Sequence, residues 1–95
     1  YRDRAQLARA VWKEVKESID HLSAHSHREQ FVAGMVQRLF SMSYPFTRGE
    51  TLYYLAKRLG KYPLVARAIQ RKAEASHSFN VNQWRNHILQ QLDLQ

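Results

Sequence analysis

Apolar residues recur at three- and four-residue spacings along almost the whole chain, and the strict alternation of a half-buried strand is absent. That period predicts helices. Ala5, Ala8, Val11, Trp12, Val15, Ile19 and Leu22 make one stripe, with Arg9, Lys13, Glu14, Lys16 and Glu17 on other faces, so a first helix is expected over roughly Arg2 to Leu22. Ser26-His27-Arg28-Glu29 has the S-x-x-E form of a capping box and opens a second helix, whose core face is Phe31, Val32, Met35, Val36, Leu39 and Phe40. That helix should stop before Ser43-Tyr44-Pro45, because a residue preceding proline avoids the helical region. Gly34 inside it predicts close approach of another helix, since a mid-helix glycine costs roughly 0.5 to 1 kcal/mol against alanine.

Thr47-Arg48-Gly49-Glu50 repeats the capping pattern and opens a third helix with Leu52, Leu55, Ala56 and Leu59 turned inward and Gly60 at its end. Pro63 suits the first turn of a fourth helix, in which Val65, Ala68 and Ile69 face the core. Asn80, with Gln83 three residues on, is expected to cap a fifth, with Phe79 stapled onto Trp84 and with Val81, Trp84, Ile88 and Leu92 inward. Short linkers between the segments predict an all-α fold, a compact bundle of about five helices packed roughly antiparallel.

The 95 residues, 44% hydrophobic, have room for one core, so residues 1–95 should form a single helical domain. The chain begins without methionine, which leaves open that it is an excerpt of a longer one. Zero cysteines remove disulfides, thiolate nucleophiles, thiolate zinc sites and iron–sulfur clusters together. No apolar run has the length of a membrane span, and the charged, amphipathic start is unlike a signal peptide, so a cytoplasmic location is expected.

Catalysis finds little support. His21 and His25 have H-x-x-x-H spacing, with His27 close by, but no glutamate stands between the pair, and solvated linker histidines are the simpler reading. Only Glu50, Glu74 and Asp93 offer carboxylates after residue 30, and no glycine-rich loop would cradle a phosphate. We therefore expect no enzyme activity, no catalytic or metal-ligating residue and no cofactor.

Charge points elsewhere. Fifteen Lys and Arg against eight Asp and Glu give +7, and residues 31–60 and 61–95 each carry +3 of it. An uncompensated positive surface suits a polyanion, most often nucleic acid, although solubility alone would also account for it. Lys57, Arg58, Lys61, Arg67, Arg71 and Lys72 fall in one helix-turn-helix unit off its buried stripes, and Arg38, Arg48 and Arg85 can extend the patch. Such groups bind phosphate oxygens through charge-assisted hydrogen bonds and counterion release. Tyr44, Tyr53, Tyr54 and Tyr62 surround this region. Tyr53 and Tyr54 suit the core edge, while Tyr44 and Tyr62, in linkers, are freer to stack on bases. Leu55 to Gly60 followed by Ala66 and Ile69 partly matches a DNA-binding helix-turn-helix, but Lys61 and Tyr62-Pro63 are atypical in its turn, and an ordinary helical hairpin has the same spacing.

Arg4-Ala5 with Ala8 through Val11, then Phe31 through Leu39, then Gly49-Glu50-Thr51-Leu52-Tyr53-Tyr54-Leu55-Ala56-Lys57, resemble the small helical subunits of CRISPR RNA-guided effector complexes. The similarity is greatest to type III versions, and the Phe79 to Leu92 segment is also similar to type I small subunits. The resemblance implies a non-catalytic bundle of an antiviral defence complex that stacks along the guide-bound filament and contacts strands through Lys57 and Arg58, with Lys61 and Arg67 carried over on a weaker match. The chain departs from the family in its short length and in Ser43-Tyr44-Pro45-Phe46. The expected partners are therefore RNA or single-stranded DNA and other protein subunits, with self-stacking open and no membrane. A module that binds an acidic protein, or a helix-turn-helix regulator, is the alternative.

Overall fold

A computed structural model describes residues 2–42 and 45–94, which leaves Tyr44 and the stop signal at Ser43 outside the described residues. The helices are α1 (Arg2–Ser18), α2 (His27–Ser41), α3 (Gly49–Leu59), α4 (Pro63–Ala75) and α5 (Phe79–Gln90), and no strand occurs among the described residues. The all-α bundle of five helices is therefore the observed architecture. The first helix is shorter than its apolar stripe implied: after Ser18 the chain tightens into a 3₁₀ turn, Ile19–His21.

Periodicity explains the core. Val15, Val32, Val36, Leu39, Leu52, Leu55, Leu59, Val65, Ile69, Val81 and Ile88 are all fully buried in one cluster to which every helix contributes. Helix α4 is central, packing on α2, α3 and α5, while α1 lies along α2 and α3 lies on α5. Trp12 of α1 makes ring contacts with Phe46 at 5.6 Å and with Tyr54 of α3 at 5.9 Å. Among the described residues no helix is long and apolar enough to cross a membrane.

Several local expectations are overturned, each for a physical reason. Phe31 is 56% exposed, because the buried face of α2, made by Val32, Ala33, Met35, Val36, Leu39 and Phe40, has its middle about 120° around the helix from Phe31. Gly34 is exposed, and a Cβ there would meet nothing within 4 Å, so no helix approaches it among the described residues. The close approaches occur at other glycines. A Cβ on Gly49 would lie 2.5 Å from Trp84 Cδ1, and one on Gly60 would collide with the backbone oxygens of Ala56 and Gln91. Gly60 ends α3 with φ −65°, so it serves by having no side chain rather than by adopting a left-handed conformation.

The caps also differ. Ser78, not Asn80, caps α5 by accepting from Val81 N, and Phe79 is 76% exposed rather than stapled on Trp84. Thr47 caps nothing: the residue before α3 is Arg48, without a side-chain cap. Tyr62, expected to be free, is 7% exposed and donates its hydroxyl to Leu22 O at 3.1 Å, tying the start of α4 to the end of the first helical segment.

Candidate functional site

The cations singled out from the sequence divide into three groups by what the fold asks of them. Lys72 and Arg85 have structural work. The last carbonyls of a helix lack internal partners, and cations near a helix C-terminus satisfy them. Lys72 Nζ donates to Phe40 O of α2 at 3.2 Å, and Arg85 of α5 donates from Nε to Ala73 O at 3.0 Å and from Nη2 to Ser76 O at 2.9 Å, closing the end of α4.

Arg48, Arg58 and Lys61 are exposed but engaged with neighbours. Arg48 Nε meets Glu50 Oε2 at 2.7 Å. Arg58 Nη2 stands 3.8 Å from Asp20 Oδ1 and lies over the Tyr54 ring, and the Lys61 ammonium sits 5.4 Å from the centre of the Tyr62 ring. In the third group Arg38, Lys57, Arg67 and Arg71 are exposed and make no ion pair or side-chain hydrogen bond among the described residues. Arg67 and Arg71 are one turn apart on the outer side of α4, and Lys57 is one turn beyond Tyr53 on α3.

Glu50 organises the surface between α3 and α5. Besides Arg48, it accepts from Asn80 Nδ2 and from Trp84 Nε1, each at 3.0 Å. The Arg48 hydrogen bond first and the Asn80 amide second hold its carboxyl well below the usual range, from 4.5 to about 2. Asn80 also accepts from Gly49 N at 2.7 Å, so α5 supplies the cap that Thr47 does not. On either side of this hub lie aromatic shelves, one of Tyr53, Trp84 and His87, the other of Trp12 and Tyr54 with the Lys16 ammonium 5.7 Å from the Trp12 ring centre. Tyr53 and Tyr54 are each half-buried and meet a tryptophan ring at a tilt, so both take part in core-edge packing.

A polar cleft of about 600 Å³, which no sequence motif foretold, opens where the ends of α2 and α4 meet the starts of α3 and α5. Lys72, Arg48, Thr47, Ser41, Ser76 and Ser78 line it, together with Asn80 and an apolar wall of Phe40 and Met42. These residues come from four helix ends at two junctions far apart in the chain, so no local spacing announces them; the signal is the concentration of hydroxyl residues where helices end. His21, His25, His27, His77 and His87 are all exposed, and no three His, Cys, Asp or Glu side chains are grouped as metal ligands among the described residues. No family model matches the chain, and no curated protein or solved structure matches it.

Proposed function

We propose that the domain is a non-catalytic nucleic-acid-binding module that grips the sugar–phosphate backbone without reading base sequence. Its setting is a ribonucleoprotein effector assembly of the kind its sequence resembles, the CRISPR small-subunit type, with other subunits as protein partners. One observation carries the reading: Arg38, Lys57, Arg67 and Arg71 are exposed and unpaired among the described residues, so folding has no use for charges that a phosphate backbone would use. Exposed cations contribute little to stability, whereas each phosphate they neutralise releases condensed counterions. The two carboxyl groups with the most hydrogen bonds, Glu29 and Glu50, are both committed to joining helices.

The test is binding to one single strand and two unrelated duplexes across a salt series. Arg38→Gln, Lys57→Gln, Arg67→Gln and Arg71→Gln should each weaken all three alike and lower the salt-dependence slope by about one unit or slightly less. Wild-type affinity in all four variants refutes backbone binding through these four cations. Preference for one duplex, altered by the α4 variants, would point instead to a helix-turn-helix reader. Absence of binding at low salt would point to an acidic protein partner.

A further inference from the structure

We infer that the cleft between the ends of α2 and α4 and the starts of α3 and α5 binds a phosphate monoester carried on a small organic group. That is the chemistry of a strand's terminal phosphate and of a free mononucleotide. Such a site lies beyond the backbone contact proposed above and does not depend on it.

The donors on the cleft wall are what a monoester needs. Lys72 spends one N–H on Phe40 O, which holds the ammonium in place and leaves two donors. Thr47 is half-buried and its hydroxyl has no partner among the described residues. Ser76 Oγ accepts from Ser78 N at 3.2 Å, so its own O–H remains to donate. Three donor groups from α4, from the segment before α3 and from the segment before α5 thus line one concavity. A monoester presents three terminal oxygens and between one and two negative charges near neutral pH, and matches them better than a diester or a carboxylate.

The surroundings agree with an anionic ligand. No carboxylate is among the lining residues, and Glu50, which touches Arg48 and Asn80 of the lining, has both oxygens already engaged. The negative C-terminal ends of α2 and α4 are covered by Lys72 and Arg85. A volume of about 600 Å³ far exceeds a bare phosphate and falls within the range of small-molecule sites, and Phe40 and Met42 give the attached group an apolar wall.

Titration of the labelled protein with inorganic phosphate and with adenosine monophosphate, followed by amide NMR against sodium chloride at matched ionic strength, tests this directly. Saturable shifts at Thr47, Ser76 and Ser78 are expected from both, with tighter binding of the nucleotide. Lys72→Gln should weaken the nucleotide by about tenfold and Thr47→Val by about threefold to fivefold. The Thr47 hydroxyl holds nothing among the described residues, so the second variant remains decisive if the first loosens α2 from α4.

A pair of identical oligonucleotides, one 5′-phosphorylated and one 5′-hydroxyl, then separates the sources. A preference for the phosphorylated strand that Thr47→Val reduces by about the same threefold to fivefold identifies a strand end. Equal binding of the pair, with nucleotide saturation intact, identifies a free phosphate ester. Absence of saturable shifts from both probes, or unchanged nucleotide affinity in both variants, overturns the site. Arg67→Gln with Arg71→Gln should weaken strands and leave the nucleotide untouched, so unchanged strand binding in that pair would count against the backbone reading and not against the cleft.

Discussion

The starts of α2 and α3 carry the same four-residue pattern, a hydroxyl residue followed three later by glutamate, and are held by different bonds. At α2, Ser26 Oγ accepts from Glu29 N at 3.2 Å, and Glu29 reaches back to accept from His25 N at 2.6 Å. Glu29 is 1% exposed, and its second carboxyl oxygen accepts from Leu64 N at 2.8 Å, in the first turn of α4. At α3 the hydroxyl of Thr47 is idle, Asn80 of α5 accepts from Gly49 N, and Glu50, its side chain 44% exposed, faces α5 instead of its own helix start. A local cap persists where its glutamate is buried with both carboxyl oxygens filled by backbone N–H groups. It yields where a side chain from a distant helix supplies the acceptor. At α2 the cap also sets the backbone: His25 is held at φ 62°, a region that non-glycine residues seldom adopt.

The strongest break of this contrast is Glu29→Ala. It strips acceptors from two backbone N–H groups next to a buried position, and hydrogen bonds of this kind contribute about 1.5 to 3 kcal/mol each with a further penalty for stranded donors. A loss of about 3 kcal/mol is expected, a large share of the stability of a domain this size, read as a fall in Tm of roughly 12 to 24 °C. Gly49→Ala should follow. Its methyl group would lie 2.5 to 2.9 Å from three Trp84 atoms, and overpacking of that kind costs about 1 to 3 kcal/mol. A neutral Gly49→Ala would mean that α5 shifts freely against α3, contrary to the Asn80 and Glu50 bonds.

Ser26→Ala is smaller, about 1 kcal/mol, because a lost cap costs one hydrogen bond at a helix end. Its size bears on what was legible in the chain. Helix existence could be read because Val32, Val36 and Leu39, or Leu52, Leu55 and Leu59, repeat at helical spacing, and burying such a stripe drives folding more than any single cap does. Side-chain destinations could not be read from the same pattern: Phe31 and Phe79 are as apolar as their buried neighbours and point outward. Asn80 lies 31 residues from the amide it caps, a distance no local motif spans. Charge has the same ambiguity, since Lys72 and Arg85 look like Arg67 and Arg71 in the sequence and differ only because the ends of α2 and α4 fall beside them.

Glu50 gives the α3 start a pH signature. Its carboxyl is depressed from 4.5 to about 2, so the folded state prefers the ionised form more strongly than the unfolded chain does. This contribution is therefore fully present above about 4.5 and is lost as pH falls through about 2. Melting temperatures between those limits should fall less steeply with pH in Glu50→Gln than in the wild type. Identical slopes would mean that the Arg48 and Asn80 bonds do not persist in solution.

Thr47→Val is expected to change stability least, and its near-silence is as informative as the losses. The hydroxyl has no partner among the described residues, Asn80 already caps the first amide of α3, and valine keeps the shape of the side chain, so the shift should stay within about 0.5 kcal/mol. Ser26→Ala measured beside it removes the same chemical group from the same motif position at a cost of about 1 kcal/mol. A matching loss in both would show that Thr47 caps α3 after all, and that Asn80 only adds to it. A loss at Ser26 alone establishes that the second motif has surrendered its cap to α5, and frees the Thr47 hydroxyl for a ligand in the cleft it lines.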